Sequence, residues 1–313
     1  MDLPSQAAVH RFPHQAMGTF YETLISGCDE TYARQAAQAA FREVDHLESL
    51  LSRFNPSSEI GQINRLEPGT AMKIGWETYE CLAAAERVRV ETGGAFNVNF
   101  RAERSGLEGD EEDPFASGEA RVAGRPAFEA FPVTDGFAVR VNRRPFEDHG
   151  RGVDLDLGGI GKGCALDRAA AVLADWSVDS FLIHAGTSTV LAAGSPPGAP
   201  QSEPGWPVGI GGTWDISGHD KRARLRDRAL SGSGTEVKGA HIREPGTGAP
   251  AAAHLAAWAS HPKAAVADAL STAFMVMETG AVSRYCLEHP DVWALVITPE
   301  GRGHVFNPHI LAL

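Results

Sequence analysis

Positive charge is scarce in this chain: 28 Lys and Arg stand against 40 Asp and Glu in 313 residues, a formal net charge of -12. That balance argues against a nucleic-acid surface, which needs a basic stripe to meet phosphates, and no nucleic acid is expected as a partner. An anionic ligand would need local help from a metal or from backbone amides. Cysteine is scarce too. Cys28, Cys81, Cys164 and Cys286 are far apart and form no CxxC pair, which excludes a zinc knuckle and a dense disulfide scaffold and leaves free thiols as the expectation. No run of 18 apolar residues exists, so no membrane span is expected. The opening MDLPSQAAVHRFPHQ has neither a basic start before an apolar run nor a cysteine for lipid attachment, and the expected compartment is the cytoplasm.

What is present is the composition of a loop-rich globule, 43% hydrophobic with 34 Gly and 19 Pro, which argues against disorder and coiled coil. GTFYETLI (18–25) alternates as a half-buried strand does, and Glu30 to Leu51 carries Val44, Leu47, Leu50 and Leu51 at helical spacing. A second helix is predicted from Trp76 to about Val90, stopping at Thr92-Gly93-Gly94. Residues 101–120 read as an acidic surface excursion. Strands are predicted at 137–142, at 153–157, in FLIHAG and STVLAAG, and at 207–213, 223–230, 237–242 and 292–298. Helices are predicted at 163–175 and 263–277, and SPPGAPQSEPGWP reads as a loop. Consecutive strands without helices between them point to an α+β fold with mostly antiparallel sheets and packed helices.

Four candidate sites, the last made of two stretches, could carry chemistry. DLGGIGKG (156–163) is a strand end, a glycine turn and a helix start, an arrangement that presents free amides to an anion. It fails both nucleotide fingerprints, with Gly163 where a P-loop needs Ser or Thr, and is equally readable as a structural turn. HIREPGTGAP (241–250) puts His241 at a loop edge, open to a ligand or to a structural hydrogen bond. In KAAVADALSTAFMVM (263–277) Asp268 is the one charge between Lys263 and Glu278, and Thr272 lies one turn away on the same face. Such a pair suits a hard cation such as Mg²⁺; alternatively Asp268 caps the amides of a neighbouring loop while Thr272 bonds back to the carbonyl of residue 268. Finally, SRFNPSSEIGQIN (52–64) and GGAFNVNF (93–100) are turn-rich stretches suited to cupping a planar ring or to closing a core.

In this order the segments resemble the ApbE family of FAD:protein FMN transferases, from about Met17 to Met277. The residues that carry the resemblance are Met17-Gly18-Thr19, the SRFNPSSEI run with Asn64, Gly93–Phe96, DLGGIGKG with Asp167 downstream, the SGSG of 231–234, HIREPGTGAP and ADALST. It implies a T-fold-like domain over 15–313 behind an extension of 1–14. It further implies that Met17, Phe54, Ala95, Phe96, Asn97, Asp156, Lys162 and Ile242 line a pocket for FAD. Mg²⁺ would be held by the Gly159 carbonyl, Asp268 and Thr272, with His241 as the catalytic base. The implied reaction moves FMN from FAD onto a Thr or Ser hydroxyl of an acceptor protein and releases AMP. Two other readings use the same residues, an FAD pyrophosphatase and a non-catalytic FAD-binding protein. The chain departs from the family pattern at Asn97, where Asp is common, at Cys164 for Tyr, at Glu244-Pro245 for Asp-Pro, and at His184-Ala185-Gly186-Thr187 for an Asn-x-Gly-Gly turn.

Overall fold

The computed structural model describes residues 8–100, 126–142, 153–211, 221–235, 239 and 242–311. Within them an antiparallel sheet of eight strands runs in the order β1 (His10–Ala16), β2 (Thr19–Ser26), β6 (Ser180–Ala185), β7 (Thr189–Ala193), β10 (Arg228–Gly234), β11 (Ala256–His261), β12 (Trp293–Ile297) and β13 (Gly303–Phe306). Every neighbouring pair in it is antiparallel. A second sheet orders β3 (Ala71–Ile74), β5 (Gly136–Val141) and β4 (Phe128–Val133), and a third pairs β8 (Trp206–Gly209) with β9 (Arg222–Leu225). Pro132 sits in β4 and Pro207 in β8, strands at sheet edges, where a missing N–H costs no ladder bond.

Six helices complete the described residues: α1 (Glu30–Leu51), α2 (Glu59–Ile63), α3 (Trp76–Glu91), α4 (Gly161–Asp175), α5 (Ala264–Phe274) and α6 (Thr279–Glu288). Helix α1 starts where the sequence offers a cap: the Asp29 carboxylate accepts the N–H groups of Thr31 at 2.9 Å and Tyr32 at 3.0 Å. Its buried stripe of Ala33, Ala36, Ala37, Ala40, Phe41, Val44, Leu47 and Leu51 follows the three-four rhythm of a helix with one face inward. That face packs on α4, and α4 packs on α5.

Alternation along the strands divides the interior in two. In β12, Ala294 and Val296 join the core under the helices. Trp293, Leu295 and Ile297 point the other way, into a second cluster with Trp206 and Leu225 beneath the β8–β9 pair. The large sheet is therefore covered on both faces there, and β12 is buried at all five positions.

The α+β expectation and most elements hold, with corrections. Residues 153–157 form no strand. The Asn64 side chain donates to the Leu155 carbonyl at 3.0 Å and accepts its N–H at 2.7 Å, and Asn99 accepts the N–H of Asp154 at 2.9 Å, so side-chain amides replace a neighbouring strand. The strand expected at 223–230 breaks at Arg226-Asp227, where Asp227 takes a φ of 54°, and its halves enter different sheets. The helix expected over 263–277 ends at Phe274, and that of 163–175 starts earlier, at Gly161. Of 207–213, the strand covers Trp206–Gly209, and 212 and 213 lie outside the described residues. The strand expected at 237–242 falls mostly on residues outside the described set; Gly239 and Ile242 are not in a strand, and Arg243 pairs with Pro250 in an isolated bridge. The acidic stretch 101–120 is also outside it. β1, β3, β4, β11, β13, α2 and α6 were not anticipated.

Candidate functional site

Helix α5 lies on the large sheet against β7, β10 and β11 and beside α4. Its first turn lacks a cap of its own, and α4 supplies one: Asp167 accepts the N–H groups of Ala264 at 2.8 Å and Ala265 at 3.0 Å. Burial raises the Asp167 carboxyl above its ordinary value, and those two amide bonds oppose the rise. The crossing is tight, since a Cβ on Gly163 would stand 2.3 Å from the Ala264 carbonyl oxygen. The last glycine of DLGGIGKG is thus a packing requirement between two helices.

This contact brings the first turn of α4 to Asp268, which is 3% exposed. Its Oδ2 accepts the Gly163 N–H at 3.1 Å and lies 3.5 Å from the Lys162 ammonium. Its Oδ1 accepts hydroxyls from Thr189 on β7 at 3.1 Å and Ser231 on β10 at 3.2 Å, and those two hydroxyls lie 3.0 Å apart. Ser271 extends the network, 3.3 Å from Ser231 and 3.0 Å from Ser233. The carboxylate is therefore partnered within the protein by one cation, one amide and two hydroxyls, as a buried charge must be. Both features of the capping alternative are present: an amide bound to Asp268, and Thr272 donating back to the Asp268 carbonyl at 3.3 Å.

Around this centre the structure gathers several of the expected residues. A Cβ on Gly159 would lie 3.2 Å from both Phe96 Cε2 and Thr272 Oγ1, so the bare backbone of Gly159 sits between the two. Lys162 also donates to the Gly158 carbonyl at 3.1 Å, and the Gly158 N–H donates to Asp156 Oδ1 at 3.0 Å. Asp156 Oδ2 receives the Arg53 guanidinium at 2.8 Å, with Asp154 also 3.6 Å from Arg53. That guanidinium lies over the Phe54 ring, 5.3 Å from its centre. Phe54 is 86% exposed, which removes the core-closing reading for it, whereas Phe96 is buried. A continuous path of contacts thus runs from Asp268 through Lys162, Gly158, Asp156 and Arg53 to an open aromatic ring.

The remaining residues attach less directly. Met17 takes a left-handed φ of 51° ahead of Gly18, and its sulfur accepts the Tyr21 hydroxyl at 3.2 Å. Tyr21 is fully buried, and its phenol is pushed up by burial and then by the charges of Asp268 and Glu48. The departing turn after His184 abuts the same place: the Gly186 N–H donates to the Phe20 carbonyl at 2.7 Å, and His184 Nδ1 lies 3.0 Å from the Gly186 carbonyl. Asn97 accepts the Asn99 N–H at 2.8 Å, and Ala95 is half-buried against the core. Ile242 is half-buried and packs on the core. His241 lies outside the described residues.

Sequence reading missed Arg53, Thr189 and Ser231. Arg53 stood inside a segment already singled out, and Ser231 inside the SGSG run. Thr189 has no signal of its own, because it meets Asp268 from 79 positions away.

Among the described residues no three His, Cys, Asp or Glu converge as a metal cluster would. The donors near Asp268 and Thr272 are carboxylate and hydroxyl oxygens, with the Gly159 backbone alongside; that set fits a hard cation and does not suit a soft one. Among the described residues, no helix is long and apolar enough to cross a membrane.

The fold and the site define an α+β protein with an oxygen-lined, lysine-bearing centre at the meeting of two helices. Comparison with known proteins agrees on the fold. The model of the ApbE family matches residues 17–296, and the chain belongs to that family. A curated relative, FAD:protein FMN transferase of Treponema pallidum (strain Nichols), is 27% identical over 293 residues, covering 85% of this chain and 78% of that one. The apo flavinyl transferase ApbE of Pseudomonas stutzeri superposes with a TM-score of 0.73 at 20% identity, over 99% of this chain and 98% of that one. Flavin transferase ApbE of Vibrio cholerae gives 0.74 at 19%, over 96% and 97%. At such identities the solved structures speak for the fold.

Proposed function

We propose that this chain transfers FMN from FAD to a Thr or Ser hydroxyl of an acceptor protein and releases AMP, with residues 15–313 acting as one transferase domain. The observation that carries the reading is the path from Asp268 and Lys162 to exposed Phe54, in a chain whose family includes a protein named for this transfer. Phe54, backed by Arg53, offers a face on which a flavin ring can stack. Lys162, whose side chain is partly exposed, offers positive charge to the pyrophosphate in a protein whose overall charge repels it. A divalent cation held by Asp268, Thr272 and the Gly159 carbonyl would neutralise the bridging phosphates and polarise the phosphorus under attack.

The acceptor hydroxyl forms a bond to the phosphorus on the FMN side while the bond to the AMP oxygen breaks. His241 takes the hydroxyl proton as general base. Thr189 and Ser231 orient the Asp268 carboxylate, and Gly163 fixes its second oxygen, so the charge is held in place before substrate arrives. Asn97, where the family commonly has Asp, leaves one negative charge fewer beside the flavin end.

The test is to mix the purified chain with FAD, Mg²⁺ and cell extract and scan a denaturing gel for covalent flavin fluorescence. A fluorescent acceptor band supports transfer. Steady AMP release without any acceptor and without covalent flavin would replace it with the pyrophosphatase reading, and FAD bound intact for hours would leave a binding protein only.

A further inference from the structure

No pair of cysteines is close in sequence, yet the fold brings two together. Cys81 on α3 and Cys164 on α4, 83 positions apart, have their sulfurs 3.0 Å from each other, and both are buried and unbridged. A disulfide closes at about 2.05 Å, so roughly 1 Å of sulfur travel separates this contact from a bond. We propose that Cys81 and Cys164 form a site of reversible intrachain disulfide formation that ties the helix leading into the Gly93–Phe96 turn to the helix whose first turn carries Lys162.

The placement gives the tie a consequence. The Gly93–Phe96 turn hangs from the end of α3, because Thr92 Oγ1 donates to the Val88 carbonyl at 2.6 Å and accepts the Phe96 N–H at 3.2 Å. Cys164 directly follows Gly163, whose N–H holds Asp268. The loop that follows α3 and the loop that precedes α4 meet where Phe96 flanks Gly159. A bond between the sulfurs therefore ties together the two helices to which these loops are attached. This proposal stands on the thiol contact and does not depend on the flavin reading.

The oxidant is a low-molecular-weight disulfide. One cysteine thiolate attacks a sulfur of that disulfide, forms a mixed disulfide and expels one small thiol. The second cysteine attacks the protein sulfur of the mixed disulfide and expels the other small thiol, so two protein thiols are oxidised as one disulfide is reduced. The hydrogen bond to Cys81 and burial hold the Cys164 thiol well above its ordinary value, which keeps the attacking thiolate rare in the closed structure. Bond formation then proceeds during folding or on opening of the α3–α4 contact, and the same burial shields the finished bond from reductants. The tie is slow to form and slow to break.

The experiment equilibrates the full chain in glutathione buffers from reducing to oxidising, quenches in acid, alkylates under denaturing conditions and maps the peptides by mass. The expected result is a peptide pair cross-linked through Cys81 and Cys164, lacking two hydrogens. Two of the four thiols should be lost to alkylation and recovered with dithiothreitol, and the oxidised form should melt at a higher temperature. Cys81→Ser should abolish the cross-link. Four alkylatable thiols at the oxidising end, glutathione adducts alone, or a bridge to Cys28 or Cys286 instead would overturn the proposal.

Discussion

At Asp268 a buried carboxylate is held by one amide, two hydroxyls and one ammonium, and Asp268→Asn separates a structural role from a metal-binding one. The amide oxygen of Asn can still accept from Gly163, and its NH₂ can donate to Thr189 and Ser231, whose hydroxyls rotate to receive it. Lys162, whose side chain is 20% exposed, can turn toward water. The fold should therefore survive at a cost of about 1 kcal/mol, while transfer is lost and partly restored by high Mg²⁺ or by Mn²⁺. Thr272→Val should give a milder form of the same defect. Wild-type rates for Asp268→Asn at limiting Mg²⁺ would assign the residue to structure alone. Phe54→Ala should leave the melting temperature within error, since an 86% exposed ring contributes little burial, yet weaken FAD binding more than it slows the bound complex. An unchanged affinity in titration would remove Phe54 from the site. His241→Ala should retain FAD binding and slow transfer about 10² to 10⁴-fold, the range for losing a positioned base; undiminished turnover would exclude it from the mechanism.

Among the elements, α4 and α5 set the site through the crossing at Gly163. Gly163→Ala would drive a methyl group into the Ala264 carbonyl, 2.3 Å away. A stability loss of about 1–3 kcal/mol is expected, together with weaker FAD binding as Lys162 shifts; chemical denaturation and flavin titration measure both. The far end of α5 is held by His254, which lies 2.6 Å from the Phe274 carbonyl and 2.9 Å from the Thr279 hydroxyl. Burial lowers its basicity below the ordinary 6.5. The folded state then binds fewer protons than the unfolded state between the lowered value and 6.5, so stability rises with pH through that window and is lost as pH falls below it. His261 acts with the same sign. His254→Gln, which keeps a donor for Phe274, should flatten part of the stability loss between pH 7.5 and pH 5 in urea melts; an unaltered slope would assign it to His261 and other groups.

The same elements show what sequence could and could not reveal. Helix α1 was legible because its cap and apolar stripe are local. VDLDL at 153–157 misled because its alternation is that of a strand, while its backbone is held by the side chains of Asn64 and Asn99 and by a single backbone bond, from the Asp156 N–H to the Val98 carbonyl. β1, HRFPHQA, was hidden by Pro13 and by the four polar or basic residues His10, Arg11, His14 and Gln15 in an edge strand that needs one buried face only. Asp268 stood out as a charge in an apolar helix, but its partners arrive on β7 and β10, and tertiary pairing of that kind leaves no periodic trace.

For the whole molecule, the scale of the antiparallel sheet decides what the site can be. Covered on one face by α1, α4 and α5 and on the other by the β8–β9 pair, it forms a rigid floor from which Thr189 and Ser231 reach Asp268. The chain carries a net charge of -12, and in the proposed site Lys162 supplies the local positive charge for a pyrophosphate, so FAD binding should weaken in Lys162→Met even where the fold is intact. In the proposed reaction this centre couples cleavage of FAD to capture of FMN by a protein hydroxyl. The most direct measurement follows AMP release and covalent flavin on the acceptor in one reaction, with a purified acceptor fragment and its Thr/Ser→Ala variant. The expected result is one AMP for each flavin attached, with both products falling together when the acceptor hydroxyl is removed. AMP released at the same rate with the variant acceptor, and no flavin attached to either, would contradict the account.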